Sequence, residues 1–194
     1  NYWGVHGVRE MINKYYIESH HGVHHDSIDL LSDPYGNGNF VREGDFERYD
    51  EMMNYVDINW LANPTVFQQM YNYIDMEAYI NYHISQIYLA NYDWPANNVR
   101  IWRDRNNGKF RWVLFDTDAS TGFQNWGEDA CNYDHNTIAH ALNAQDIGFV
   151  WPNPPKSTYL FRKMMENDHF KNEFVQRTCT YRKTIFSSQS IISK

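Results

Sequence analysis

Cysteine is nearly absent from this chain: 194 residues contain two, Cys131 and Cys179. They form no Cys-x-x-Cys pattern, which argues against a thiolate zinc site; a disulfide between them and two free thiols both stay open. No apolar run approaches the ~20 residues that a membrane-spanning helix needs. Basic charge is short as well, with 17 Lys and Arg against 24 Asp and Glu and a formal net charge of −7. That balance argues against a nucleic-acid surface, which needs clustered cations. It suits solubility, or a basic partner. No Asn-x-Ser/Thr sequon occurs, so glycosylation gives no hint of compartment. No signal peptide heads the chain, which by itself says nothing about export.

Aromatic residues are abundant at 17%, with 15 Tyr and 7 Trp. Many such rings need a polar partner at one end, so a core with wet margins is expected. The length fits one domain, or one domain with part of a second lobe. Tyr2 to Val8 reads as a strand ending in Arg9-Glu10. A helix through Ile12, Tyr15, Tyr16 and Glu18 should stop at Gly22. The run His20-His-Gly-Val-His-His25 admits two readings: imidazoles that ligate a metal, or cationic side chains gathered at a helix C-terminus. Asp33 to Asn39 is turn-rich and marks the best lobe boundary. Further helices are expected over Phe46–Leu61, from Asn63-Pro64 with an Asn cap and Pro at the first position, and from Asp75. Ser157 and Asp168 should each open a helix, and the polar tail from Ser187 should fray. His83, beside the apolar face of the Asp75 helix, reads as a core histidine or a catalytic one.

Chemistry concentrates between Met76 and Asp118. The Asp75 helix feeds the turn Asn91-Tyr-Asp-Trp-Pro-Ala-Asn-Asn98, where Pro95 prevents the helix from continuing. Two strand-like runs, Val99–Arg103 and Lys109–Phe115, flank a turn containing Asn-Asn-Gly, a strong hairpin signal. If the strands fold back about Asn107, Asn98 faces Asp116, with Cβ atoms roughly 5 Å apart. Asp93 enters the same end of the hairpin. Two carboxylates and an amide there suit a hard cation such as Mg²⁺, with one carboxylate left to act as a base. Arg100 and Trp102 alternate with Val99 and Ile101, so one face of that strand should meet the core while the other lines a cleft. Cross-strand packing is the alternative for Trp102 and Trp112. The bland reading of the acidic cluster is a solvated loop held by Asx-turns.

The order Asp-x-x-x-x-Asn, hairpin, Asp is that of protein kinases, where one Asp receives the substrate proton and the Asn and second Asp hold metal. The His-Arg before Asp93 and the Phe-Gly after the second Asp are missing, so an ordinary eukaryotic-type kinase is not expected. The wording Tyr88-Leu-Ala-Asn-Tyr-Asp-Trp-Pro-Ala-Asn-Asn-Val-Arg-Ile-Trp-Arg103, then Phe110-Arg-Trp-Val-Leu-Phe-Asp-Thr-Asp118, closely resembles the CotH family of spore-coat-type, secreted atypical kinases. Gly4-Val-His-Gly-Val-Arg-Glu10 and Ser157 to Phe170 support it from either side. The resemblance implies an α+β, atypical protein-kinase-like fold, mainly the helical large lobe. It would divide into the end of the small lobe (1–45), the large lobe (46–186) and a tail (187–194). Asp93 would be the base; Asn98, Asp116 and Asp118 would hold Mg²⁺; Glu10, Arg100 and Trp102 would meet ATP. The acceptor would be Ser or Thr of a protein, basic and Ser-rich in type, at the spore or cell surface or outside the cell.

Two departures qualify that expectation. The family's glycine-containing nucleotide loop does not precede Asn1, so the chain reads as a fragment beginning late in the small lobe and is expected to bind nucleotide poorly by itself. After Asp118 the sequence Ala119-Ser-Thr-Gly-Phe123 replaces an aromatic-Gly pair. Transfer of AMP from the same ATP site, a non-catalytic coat or scaffold module, and a carbohydrate-binding role through exposed aromatics remain rival readings.

Overall fold

A computed structural model of the chain describes residues 10–32, 40–121, 136–143 and 153–192. The expected strand at Tyr2–Val8, the turn-rich connector at 33–39, Cys131 and most of the weakly periodic stretch after Gly122 lie outside the described residues. The architecture is α+β: a four-stranded antiparallel sheet packed among helices.

Helix α1 (Lys14–His21) starts at Asn13, whose side chain accepts from the amides of Tyr15 and Tyr16, and ends at Gly22 in the left-handed region (φ 69°). That is the stop expected where only glycine takes positive φ without cost. One 3-10 turn (His25–Ser27) leads into β1 (Ile28–Ser32), followed by β2 (Phe40–Glu43) and α2 (Glu47–Ile58). Asn63 caps α3 (Pro64–Phe67), with Pro at its start. After α4 (Met70–Tyr73), Asp75 caps α5 (Met76–Leu89) by accepting from the Ala78 amide. The hairpin of β3 (Arg100–Asp104) and β4 (Arg111–Trp112) follows, then α6 (Thr137–Leu142), α7 (Tyr159–Met164), α8 (Asp168–Lys183) and α9 (Ser188–Ile192). Ser157 precedes α7 by a turn rather than opening it, and Asn167 caps α8. The tail from Ser187 carries a short helix with no buried residue, and Ser187 Oγ accepts from the Ser190 amide at 3.2 Å.

Strand order is β2-β1-β3-β4. All five residues of β1 are buried because the sheet is covered on both faces. Leu31, Ile101 and Trp112 join the main core with α2, α5, α7 and α8, whereas Ile28, Leu30, Trp102 and Val113 meet Ile17 of α1 in a smaller second core. Each large apolar side chain so buried stabilises the fold by about 1.5–3 kcal/mol. Tyrosines supply the expected wet margins: the Tyr73 hydroxyl donates to Glu51 at 2.9 Å and Tyr181 to Asn81 at 2.8 Å.

Asp29, in the middle of β1, is a fully buried carboxylate. Arg103 approaches it at 2.7 Å as a charge contact off the hydrogen-bond line, Arg105 lies 3.1 Å away, and the Asp45 amide donates to it at 3.1 Å. Gly44 passes so close, at φ 74°, that a Cβ there would run into this carboxylate. The knot ties β1, β3 and the end of β2 together, and buried charge is tolerated only when paired in this way.

Candidate active site

The hairpin is one residue out of the expected register. Ile101 pairs with Trp112 and Trp102 with Arg111, so Asn98 does not face Asp116; continuing the register would set it beside Phe115. The Gly108 amide closes the turn onto the Asp104 carbonyl at 2.8 Å, centring the fold between Asn106 and Asn107. The ladder is also shorter than expected: after Val113 N donates to Arg100 O at 3.0 Å, no strand continues to Phe115. Asn98 (φ 56°) and Asp116 (φ 51°) both take the left-handed conformation, which Asn and Asp tolerate better than other L-residues.

Other bonds tie the loop and α5 to the hairpin despite the shift. The start of α5 is joined to the hairpin: the Phe110 amide donates to Tyr73 O at 2.7 Å, the Asp75 amide to Phe110 O at 3.1 Å, and Arg111 pairs with Asp75 at 2.9 Å. At its other end, α5 stops at Ala90 in the left-handed region. Buried Asn91 then organises the loop, donating to Gln86 Oε1 at 2.9 Å and accepting from the Asp93 amide at 3.3 Å. The Asp93 carbonyl accepts from the Asn97 amide at 2.8 Å. Tyr92 N donates to Ala119 O at 2.8 Å and Thr121 N to Leu89 O at 2.9 Å, lacing this loop to the segment after β4.

Asp93 and Asn98 are thereby joined directly, whereas among the described residues the cluster whose ligand atoms lie within 4.8 Å of one another is Glu18, His24 and His25, not the Asp93, Asp116 and Asp118 carboxylates. Asn98 Nδ2 donates to Asp93 Oδ2 at 3.3 Å. Burial pushes the Asp93 carboxyl above the ordinary aspartate range, the charges of Asp118 and then Asp116 push it further, and the Asn98 bond opposes them. Carboxylates repelling one another, with an amide oxygen at hand, are the donor set that a hard dication neutralises. The Asp116 end adjoins a cleft of about 470 Å³ lined by Glu10, Leu30, Arg42, Arg100, Phe115 and Asp116, among others. Its size falls in the range of small-molecule sites, ~300–1,000 Å³. Arg100 is braced by Ser32 Oγ and lies over the Phe115 ring at 5.1 Å.

Trp102 is not part of this cleft. It is 3% exposed, packed beneath α1 with His21 against its ring at 4.6 Å and Arg111 over it at 5.6 Å. Trp112 packs on Tyr79 across the opposite face of the sheet. His83 is a buried core residue: its Nδ1 bonds the Tyr79 carbonyl at 2.9 Å, its ring stacks on Phe161 at 4.6 Å, and burial lowers its pKa to about 4. Sequence reasoning passed over Asn91 and Arg42. The Asn91-x-Asp93 spacing of an Asx-turn was a usable signal for the first; Arg42 comes to the cleft only through sheet pairing.

Comparison with known proteins returned one family model, described as CotH kinase protein, which matches residues 1–194. No curated protein and no solved structure matches the chain. No helix among the described residues is long and apolar enough to cross a membrane.

Proposed function

The chain belongs to the CotH kinase protein family, and from that premise we propose that it is the catalytic part of an atypical kinase, moving the γ-phosphoryl of ATP to a Ser or Thr hydroxyl of a protein. In this reading the fold is kinase-like, with 1–45 ending the small lobe, 46–186 forming the large lobe and 187–194 the tail. What supports it best is the Asn98–Asp93 hydrogen bond at 3.3 Å in a loop laced by Tyr92 N to Ala119 O onto the segment that follows Asp116 and Asp118; the upward direction of the Asp93 pKa, set first by burial and then by their negative charge, agrees with it.

Asp93 accepts the proton of the attacking hydroxyl, and its raised basicity suits that task. Asn98, Asp116 and Asp118 would hold Mg²⁺, which when bound would supply positive charge against the phosphates. The fit rests on the donor chemistry, since every group offered is a carboxylate or amide oxygen. Arg100 and Arg42 face the same cleft and orient the nucleotide's phosphates, while Glu10 and Phe115 bound the space. Asn91 holds the Asp93 backbone in place. Trp102 supports the strand from behind and reaches nucleotide only indirectly. The protein substrate is basic and Ser-rich, complementary to the net negative charge, and the protein works outside the cell or at the spore or cell surface.

The test is transfer of label from γ-labelled ATP with Mg²⁺ to the protein itself or to a basic Ser-rich peptide, using the full-length protein. Asp93→Asn should not label. Equal labelling by wild type and variant removes the base assignment, and label arriving from the α-phosphate identifies AMP transfer. No transfer from either position, alongside tight partner binding, identifies a scaffold.

A further inference from the structure

The four imidazoles between His20 and His25 do not act as a group. His20 stacks on Tyr16 at 4.2 Å with its Nε2 3.5 Å from Glu10, and His21 lies against Trp102. His24 and His25 instead fold back on α1 and meet Glu18, one ligand-type atom from each of the three lying within 4.8 Å of the others. We infer that Glu18, His24 and His25 bind a borderline transition-metal dication of the Zn²⁺ class, bracing the end of α1 against the start of β1.

The backbone builds this cluster. Gly22 reverses the chain and its amide caps the Glu18 carbonyl at 2.9 Å. The His25 amide then donates to Glu18 Oε1 at 3.3 Å, so the carboxylate is located by main chain as well as side chain. His25 Nδ1 lies 3.1 and 3.0 Å from the two Glu18 oxygens. Two ligands on one tetrahedral Zn²⁺ with bonds of ~2.0–2.1 Å sit about 3.3 Å apart, so this pair needs to open by only a few tenths of an ångström to admit the ion in place of a shared proton. The other nitrogen of the ring, Nε2, is 3.6 Å from Asp26 Oδ1. That is longer than a hydrogen bond, but it sets a carboxylate on the side of the ring where outer-shell partners of ligating imidazoles are found. His24 supplies a ring nitrogen as third ligand. Its ring is exposed and stacked on His25 at 4.4 Å, and its Nδ1 gives up only a long 3.3 Å bond from the Asp26 amide. Water completes the tetrahedron.

Two imidazoles select this class of ion over Mg²⁺ and Ca²⁺, which prefer oxygen alone. The site is therefore chemically distinct from the all-oxygen set at Asp93. Its consequence is mechanical: α1 covers the second core, and the residues just before it, Glu10 to Asn13, line the cleft.

The full chain, stripped by chelator, is titrated with Zn²⁺ against a chromophoric competitor and with Co²⁺ by visible absorption. One equivalent of Zn²⁺ with tetrahedral Co²⁺ bands is expected. His25→Gln and Glu18→Gln should each weaken binding more than tenfold, the least that even outer-shell partners are worth. His20→Gln and Asp116→Asn should leave it unchanged. Zn²⁺ should raise the melting temperature of the wild type but not of Glu18→Gln, with circular dichroism verifying that each variant is folded. Absence of tetrahedral bands, undiminished binding by folded His25→Gln, or loss in Asp116→Asn instead would overturn the assignment.

Discussion

Replacing Asp93 by Asn should move activity and stability in opposite directions. The substitution keeps the shape of the side chain, and its carbonyl can still accept the Asn98 bond, but it removes the charge and the basic oxygen. Loss of a general base costs about 10²–10⁴-fold in rate, or ~2.7–5.4 kcal/mol of transition-state stabilisation. Stability responds to a different property. The carboxyl is held above its ordinary range by burial, Asp118 and Asp116, so the folded protein binds this proton more readily than the unfolded chain does. Stability from this group is present below the ordinary carboxylate range and is lost as pH rises through that range to the raised value. At neutral pH the ionised Asp93 thus costs the fold free energy, and Asn removes that cost. Solvent reaches the side chain, and screening limits the gain to about 0.5–1 kcal/mol, or ~1–4 °C for a chain of this size. Single-turnover phosphoryl transfer and thermal melts at neutral and acid pH measure both effects. The variant should be nearly inactive, melt higher at pH 7, and lose its advantage at acid pH, where wild-type Asp93 is protonated. A variant with near-normal rate, or one that melts lower at pH 7, would refute the reasoning.

Further outcomes follow from particular contacts. Asn98→Ala should abolish transfer at any Mg²⁺ concentration rather than trim it, because octahedral coordination does not tolerate a missing ligand; rates across a Mg²⁺ titration check this. Asp29→Ala should lower stability by about 3–5 kcal/mol by stranding Arg103 against a buried surface, read as a drop of ~6–20 °C in melting temperature. His83 has a folded pKa of about 4, so its contribution is complete above its ordinary value and is lost as pH falls towards 4, to a depth of about 3 kcal/mol. His83→Phe, which can keep the stack on Phe161, should flatten the pH dependence of unfolding in urea over that interval.

Much of the local structure was legible in the chain alone. Asn63, Asp75 and Gly22 mark helix ends because their reasons are local: a side-chain oxygen reaching an amide two or three residues on, or a glycine at positive φ; the start of α1 was missed, since Asn13 caps it and leaves Ile12 outside. The Asp93–Asn98 contact was legible because a short loop joins them over few residues. The hairpin's register was not, since it depends on one turn bond, Gly108 to Asp104, and on how β1 holds β3. Nor was the fate of Trp102, because period-two alternation assigns a face to a side chain but not what covers that face; α1 does so. The Asp29 knot joins residues up to 76 positions apart, from Asp29 to Arg105, and no short-range rule couples them. Sequence therefore determined the elements and the short Asp93–Asn98 loop, through interactions that close within a few bonds of the chain. Only the tertiary structure decided that Tyr92 is laced to Ala119, that the cleft is shared by Glu10, Arg42 and Arg100, and that two of four clustered histidines turn towards one glutamate. Those outcomes depend on long-range packing, where many weak contacts compete and the winner is set by the whole core.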